Sequence, residues 1–530
     1  MPKRKRPLPA LPAALLGLFL LCGGQGCNLI DTSARPGGSG DSTESIPRFS
    51  DVTVHDPSVF PAGGGEFRVI GSFLATAKTS NFMQWTQEKN DFSTATYSQS
   101  KYYPTGGVST TPDTANQTIQ QQINDVLRGQ VDSLNFYASD IHQMPNGKYY
   151  HYYSLTCSAW CSAIGVAIAD NVDGPYETQG LIVRSKEAGN NKAPDGTTAW
   201  SASRHPNCID PQAFFDHQNN FWLVYGSWRG GIYLLQLDPA TGLPNNAAIN
   251  SESDGYGRRI LKNINDRGIE APYIIYSPEA QRYFLFVSYD GLTATGGYHI
   301  RMFRSQSNDA SGPYLDRGGH DVTTTGLGSG DYESHGVKVL GGYQFAHLSE
   351  EKGTATTGYL SPGHNSAYYD SASGKYFLIH HTRFVGRGEG HQVRVREMFL
   401  NEDDWLVAAP FRYDAGTVRA FTEEALAGTW KLINHGKDRN TTAHTSETYQ
   451  FESDGSVVPA GGGAVVGGAG TSAWSLEADS RTAHITIDGV RYKGVFLRQW
   501  DDDNKVWVYA FTALSDDGTA LWGAQPGVRQ

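Results

Sequence analysis

The chain has 530 residues and a formal net charge of -11, long enough for one large domain plus a smaller one. Only 18% of its residues are charged, against 61 glycines and 12% aromatics, which argues against a helical protein and for short strands joined by tight turns, an all-β fold. The acidic balance disfavours nucleic acid and anionic membrane surfaces as partners and leaves a neutral polymer as the better fit.

The N-terminus reads as an export signal. Lys3, Arg4, Lys5 and Arg6 precede an apolar run from Leu11 to Cys22, too short for a permanent membrane span. Residues 1–26 form the expected signal peptide, and the Gly26-Cys27 junction resembles a lipoprotein processing site at which Cys27 is acylated, although Gly24 stands where such sites usually carry leucine. The expected location is secreted, or at the cell surface or outer membrane as a lipoprotein, with the lipid anchor as the only membrane link. Loss of the four basic residues takes the net charge from -11 to -15. Residues 27–49, rich in Ser, Gly and Thr, read as a flexible linker. In an oxidising compartment Cys157 and Cys161 are placed to pair, and Cys208 is expected to be a buried free thiol.

From about 50 to 420, aromatic and β-branched runs recur between turn signals: GEFRVIGSF, NGKYYHYYSLT, NNFWLVYGSW, QRYFLFVSYD and GKYFLIHHTRF. Each reads as an inner blade strand followed by a partner strand. Gly-Pro-Tyr occurs at 174–176 and again at 312–314, 138 residues on, which suits two repeats of about 69 residues and hence about five in the region. A five-bladed β-propeller is predicted for 50–420. After Glu423 the pattern changes to alternating strands with several Asp-Gly turns, predicting a small antiparallel β-sandwich or barrel at 424–530. The acceptor-like triplets at Asn116 and Asn440 are read as chance matches.

Three acids stand in proline-bounded, apolar settings: Asp56 in VTVHDPSVF, Asp210 in NCIDPQAFF and Glu270 in RGIEAPYII. A following proline is expected to hold the local backbone extended and fix the carboxylate's direction. Any one of them alone is more simply a turn-former at a strand start. Three spaced by blade multiples in one repeat protein favour a functional reading, because a propeller gathers the innermost strands of different blades at one axial mouth. Glycosidic cleavage needs one protonated and one ionised carboxyl, and a third can hold the acid's proton by like-charge repulsion.

Taken in order, VHDPSVF, NCIDPQAFFD, YGSWRGGIYLLQLD, GIEAPYI and PGHNSAYYD resemble the endo-α-1,5-L-arabinanases of glycoside hydrolase family 43, over about residues 50–420, and the terminal region resembles the β-domain appended to longer bacterial members. The resemblance implies an inverting hydrolase of internal arabinan bonds. It implies Asp56 as general base, Glu270 as general acid, and Asp210 as the residue that orients that acid and tunes its proton affinity, with base and acid roughly 6.5–9.5 Å apart. It also implies that His364 approaches a calcium ion held mostly by water; ligand chemistry alone favours a core histidine bonded to a catalytic carboxylate, and the resemblance turns the reading to the metal. Asn207 and Ser227 match sugar-facing positions. Trp85 is an aromatic-platform candidate, set against a plain core position. Where the family often has Trp-Ala-Pro-Asp, this chain reads Phe136-Tyr137-Ala138-Ser139-Asp140, so subsite shape does not carry over.

Two other readings stand beside this one. An exo-acting α-L-arabinofuranosidase or β-xylosidase keeps the fold and changes the products. A non-catalytic surface carbohydrate-binding protein, expected like the enzyme to be a monomer, has no need of a proton donor. For the terminal region, sugar binding through Trp430, Trp500 or Trp507 and structural support are both open.

Overall fold

Five antiparallel sheets follow one another along the chain in a computed structural model, built on the four-strand runs Ser58–Gly63 to Thr86–Lys89, Asn135–Gln143 to Glu177–Arg184, Gln212–Phe215 to Arg258–Lys262, Ile269–Ser277 to Tyr314–Leu315 and Tyr359–Asp370 to Leu406–Ala408. The structure describes residues 45–528 apart from 90–99, 106–120, 122–134, 157–160, 187–190, 264–266, 325–333, 354, 417–418 and 461–470. The signal peptide, Cys27, most of the linker, Asn116 and Cys157 lie outside the described residues. Among those described, no helix is long and apolar enough to cross a membrane.

The first strand of each sheet touches the first strands of its neighbours, Ser58–Gly63 meeting both Asn135–Gln143 and Tyr359–Asp370. Five strands therefore ring one axis, and the expected five-bladed propeller is present. Gly174-Pro175-Tyr176 and Gly312-Pro313-Tyr314 both lead into the outermost strand, in blades 2 and 4, so the repeat spacing does span two blades.

One strand assignment is corrected. The aromatic runs taken as inner strands are the second strand of each blade, such as Tyr149–Thr156, Phe221–Tyr225 and Lys375–Phe384. They are buried almost throughout because neighbouring blades cover both of their faces, and burial on two faces erases the alternation that marks a half-exposed strand. The true inner strands carry more Gly, Pro, Ser and acids, and they bridge blades with side chains. Asp140 accepts from Ser58 Oγ of blade 1 at 2.5 Å and from the Ala213 amide of blade 3 at 2.9 Å. Gln212 bonds both backbone groups of Ile274, at 3.0 and 3.1 Å. Ser366 joins blade 5 to the Pro57 carbonyl at 2.7 Å and the Val59 amide at 3.1 Å. The seam between first and last blades is packed by Val52, Val54, Val59 and Val69 against Phe377, Ile379, Val393 and Val395.

The C-terminal region is an eight-stranded antiparallel sheet from Gly428 to Ala524 that curls into a nearly closed barrel, its ends joined where the Val457 amide donates to Ser472 O and the Trp474 amide to Gly455 O. Its lumen is filled by Trp430, Phe451, Trp474, Phe496 and Phe511. Trp430 and Trp500 are thus buried. Outside the barrel, Ile433, Val495, Leu497 and Trp522 share one core with Phe284, Phe286 and Tyr343 of the propeller, and burial on that scale fixes the barrel to blades 4 and 5. Cys208 is buried and free, as expected; Cys161 is in a disulfide.

Candidate active site

At the axial mouth the inner strands leave regular pleating. Register shifts fall between Tyr137 and Asp140, between Glu270 and Tyr273, and between Gly363 and Ser366. Ala138, Ala271 and His364 inside those bulges have φ of 42°, 57° and 44°, and Asp56 and Asp210, just ahead of their strands, have 57° and 59°. The expectation of extended backbone before proline is therefore not met at Asp56 or Asp210. Proline disfavours the right-handed helical region for the residue before it, and both residues sit where the chain bends into an inner strand, in the left-handed region. Such conformations persist only where packing over-determines them, and here they aim one side chain per blade into the mouth.

These side chains line one cleft of about 680 Å³ that includes Asp56, Asp210, Glu270, His364, Asn207 and Ser227. Asp56 is buried and accepts from Ser72 Oγ, while its Oδ1 lies 2.7 Å from His55 Nδ1 and 2.9 Å from His364 Nδ1. Its amide donates to His381 Nδ1 at 3.1 Å, and His55 stacks on that ring at 4.1 Å. Burial pushes the Asp56 carboxyl up, but His364 and His55 outweigh it and hold it well below the usual carboxylate range. Asp56 is the ionised member of the site.

Glu270 is held by three donors: Ser227 Oγ at 2.9 Å and Trp228 Nε1 at 3.0 Å on Oε2, and the Tyr298 hydroxyl at 2.8 Å on Oε1. Asp210 sits behind it, accepting the Ala271 amide at 3.1 Å. Burial raises the Asp210 carboxyl to about 8; His364 pulls it down, while the charges of Glu270 and Asp56 add to the rise. Burial and the neighbouring acids thus disfavour ionisation at Asp210. Burial pushes His364 down, yet Asp56 and Asp210 raise it to about 9. Gly363 is required beside it, since a Cβ there would sit 2.0 Å from the Tyr298 ring.

The remaining expected residues divide. Asn207 lines the cleft with its carbonyl oxygen taken by Ser162 Oγ at 2.6 Å. Ser227 also lines it, but its hydroxyl is spent on Glu270, so it positions that carboxylate. Trp85 is not in the cleft: it is 5% exposed and packed with Phe82 in the seam between blades 1 and 5, because it leads into Thr86–Lys89, the outermost strand of blade 1. Tyr137, from the departing segment, does line the cleft, edge-on to Phe73 at 5.5 Å. Sequence reasoning missed Ser72, Trp228, Tyr298, His381 and His55. Adjacency to Asp56 and Ser227 marks His55 and Trp228; Ser72, Tyr298 and His381 carry no local signal, since only the ring of blades brings them in.

Residues 85–406 match glycosyl hydrolases family 43, and residues 410–523 match the C-terminal lipocalin-like domain of that family. The chain belongs to glycoside hydrolase family 43. This family 43 chain is 39% identical to the extracellular endo-α-(1→5)-L-arabinanase 2 of Bacillus subtilis (strain 168), over 90% of this chain and 94% of that one. It is 38% identical to the extracellular endo-α-(1→5)-L-arabinanase of Thermotoga petrophila over the same shares. The crystal structure of the T. petrophila RKU-1 endo-1,5-α-L-arabinanase superposes with a TM-score of 0.76 at 36% identity, and that of a family 43 protein from Bacillus licheniformis with 0.77 at 36%, each covering 90% of this chain and 99% of the other. Both domains of the family 43 architecture are thus matched along their length.

Proposed function

We propose that this family 43 enzyme is an endo-acting arabinan hydrolase that cuts internal α-1,5-L-arabinofuranosidic bonds with inversion. The observation that carries the reading is the meeting of an ionised Asp56 with the Glu270–Asp210 pair in one cleft, in a chain that matches endo-arabinanases over 90% of its length. Asp56, held ionised by His364 and His55, takes the proton of a water that attacks the anomeric carbon. Glu270 gives a proton to the departing oxygen on the opposite side, with its oxygens aimed by Ser227, Trp228 and Tyr298. Asp210 acts through Glu270: it orients the acid through the Ala271 amide, and the proton that burial keeps on this pair of carboxyls is the one Glu270 delivers.

Calcium belongs to the proposal through His364. The fit is in the donor set: Nδ1 faces Asp56 at 2.9 Å, and an ion at the other nitrogen would take the place of the proton that the acids otherwise hold on this ring. A single imidazole suits a calcium held chiefly by water. Bound there, the ion supplies positive charge beside Asp56 and the water it activates. Export and acylation of Cys27 complete the reading, and the extracellular relatives support the first of these.

The test is a product profile on linear debranched arabinan, with and without chelator. Mixed short oligosaccharides support endo cleavage, release of arabinose alone points to the exo reading, and full activity in Glu270→Gln rejects the proposed acid.

A further inference from the structure

A second cluster of ligating side chains lies far along blade 4 from the cleft. Past the outermost strand Tyr314–Leu315 the chain makes a tight turn, closed by Asp316 N donating to His320 O at 3.1 Å and by His320 N donating to Asp316 Oδ1 at 2.9 Å. This sets His320 Nδ1 3.1 and 3.2 Å from the two carboxylate oxygens. His335, just ahead of the strand Val337–Leu340, brings its own Nδ1 to 3.2 Å from Asp316 Oδ2, with its carbonyl fixed by Arg301 Nη1 at 2.5 Å. One oxygen and two nitrogens thus lie within 4.8 Å of one another.

We propose that Asp316, His320 and His335 form a binding site for a borderline divalent transition metal of the zinc and cobalt kind. Ligands about 2.1 Å from a tetrahedral ion stand about 3.4 Å apart; each histidine is at 3.1–3.2 Å from Asp316, and the two histidine nitrogens lie within 4.8 Å of each other. Two imidazoles with one carboxylate select such ions over calcium or magnesium, which prefer an all-oxygen shell. Asp316 and His335 have side chains only 3% and 8% exposed, so two donors are held in place by the sheet, while His320 at 55% leaves the solvent side open for a water ligand. The nearby cations hydrogen-bond to other groups, Lys437 Nζ to Ser334 O at 2.8 Å, Arg317 to Asp403 and Asp516, and Arg301 Nη2 to Lys437 O, although the Lys437 charge still reaches Asp316. The contacts of Lys437 and Asp516 join blade 4 to the C-terminal barrel, so an ion here pins the turn 316–320 to residue 335 at the seam between the two domains. Its role is structural.

Cobalt titration of the purified full chain, followed by its ligand-field absorption, with zinc competition by calorimetry, tests the site. One saturable equivalent is expected, with zinc raising the melting temperature. His320→Ala, a solvent-facing change that leaves the sheet intact, is expected to weaken binding at least about tenfold and to abolish the thermal shift. Arabinan hydrolysis in His320→Ala without added metal is expected to equal wild type. Equal cobalt affinity in wild type and His320→Ala, binding lost instead in His364→Ala, or no saturable binding at millimolar metal would each overturn the proposal.

Discussion

Replacing Asp210 with asparagine removes the carboxyl that folding keeps protonated, and stability is expected to rise for that reason. In the folded chain its proton is retained from the ordinary 3.8 up to about 8, by burial first and then by the charges of Glu270 and Asp56. Between those pH values the unfolded chain binds fewer protons than the native one, so the wild type loses stability as pH rises. At about 1.4 kcal/mol for each pH unit, the full span withholds about 6 kcal/mol at pH 8. The attraction to His364, which Asp210 exerts only once ionised, offsets part of this, so the net gain at pH 8 stays below about 6 kcal/mol and shrinks to nothing near pH 4. Asparagine keeps an oxygen for the Ala271 amide, so the backbone is not disturbed. Denaturant unfolding of both proteins at pH 4, 6 and 8, followed by tryptophan fluorescence, measures this, and arabinan hydrolysis by the variant should fall by about 10²–10⁴-fold. A variant no more stable than wild type at pH 8, or an advantage that grows towards acid, would refute the account of Asp210.

Trp85→Ala is expected to cost about 3–5 kcal/mol through a core cavity with no change in KM for arabinan, the signature of a packing residue. Gly363→Ala forces the Tyr298 ring away from Glu270; kcat should fall with little change in KM, and unfolding should show a loss of about 1–3 kcal/mol. Tyr298→Phe removes one donor to Glu270 without moving the backbone, so its kcat loss should be smaller than that of Gly363→Ala in the same assay. Chelation is expected to lower activity on linear arabinan and added calcium to restore it in wild type, whereas His364→Ala should not respond to calcium.

The GPY echo, the apolar runs and the change of pattern near 423 made the blades and the appended β-domain legible, because repeat length and hydrophobic period are local properties of a chain. The acids were legible for the same reason: Asp56 and Asp210 each precede a proline, and Glu270 stands one residue further from one. The same local logic misplaced the aromatic runs, since a strand covered on both faces looks innermost whether it is first or second from the axis. It also left Trp85 open, because an aromatic beside a turn looks alike in a core and in a groove.

Local pattern in the chain marks the acids that gather in the cleft and how often the fold repeats. Which side chains meet there, and with what charge, follows from the packing of the blades. Ser72, Tyr298, His364 and His381 reach Asp56 and Glu270 from three different blades. Proton affinity in a buried site depends on distances across the axis, between residues up to 325 positions apart in the chain, and no local pattern encodes those distances.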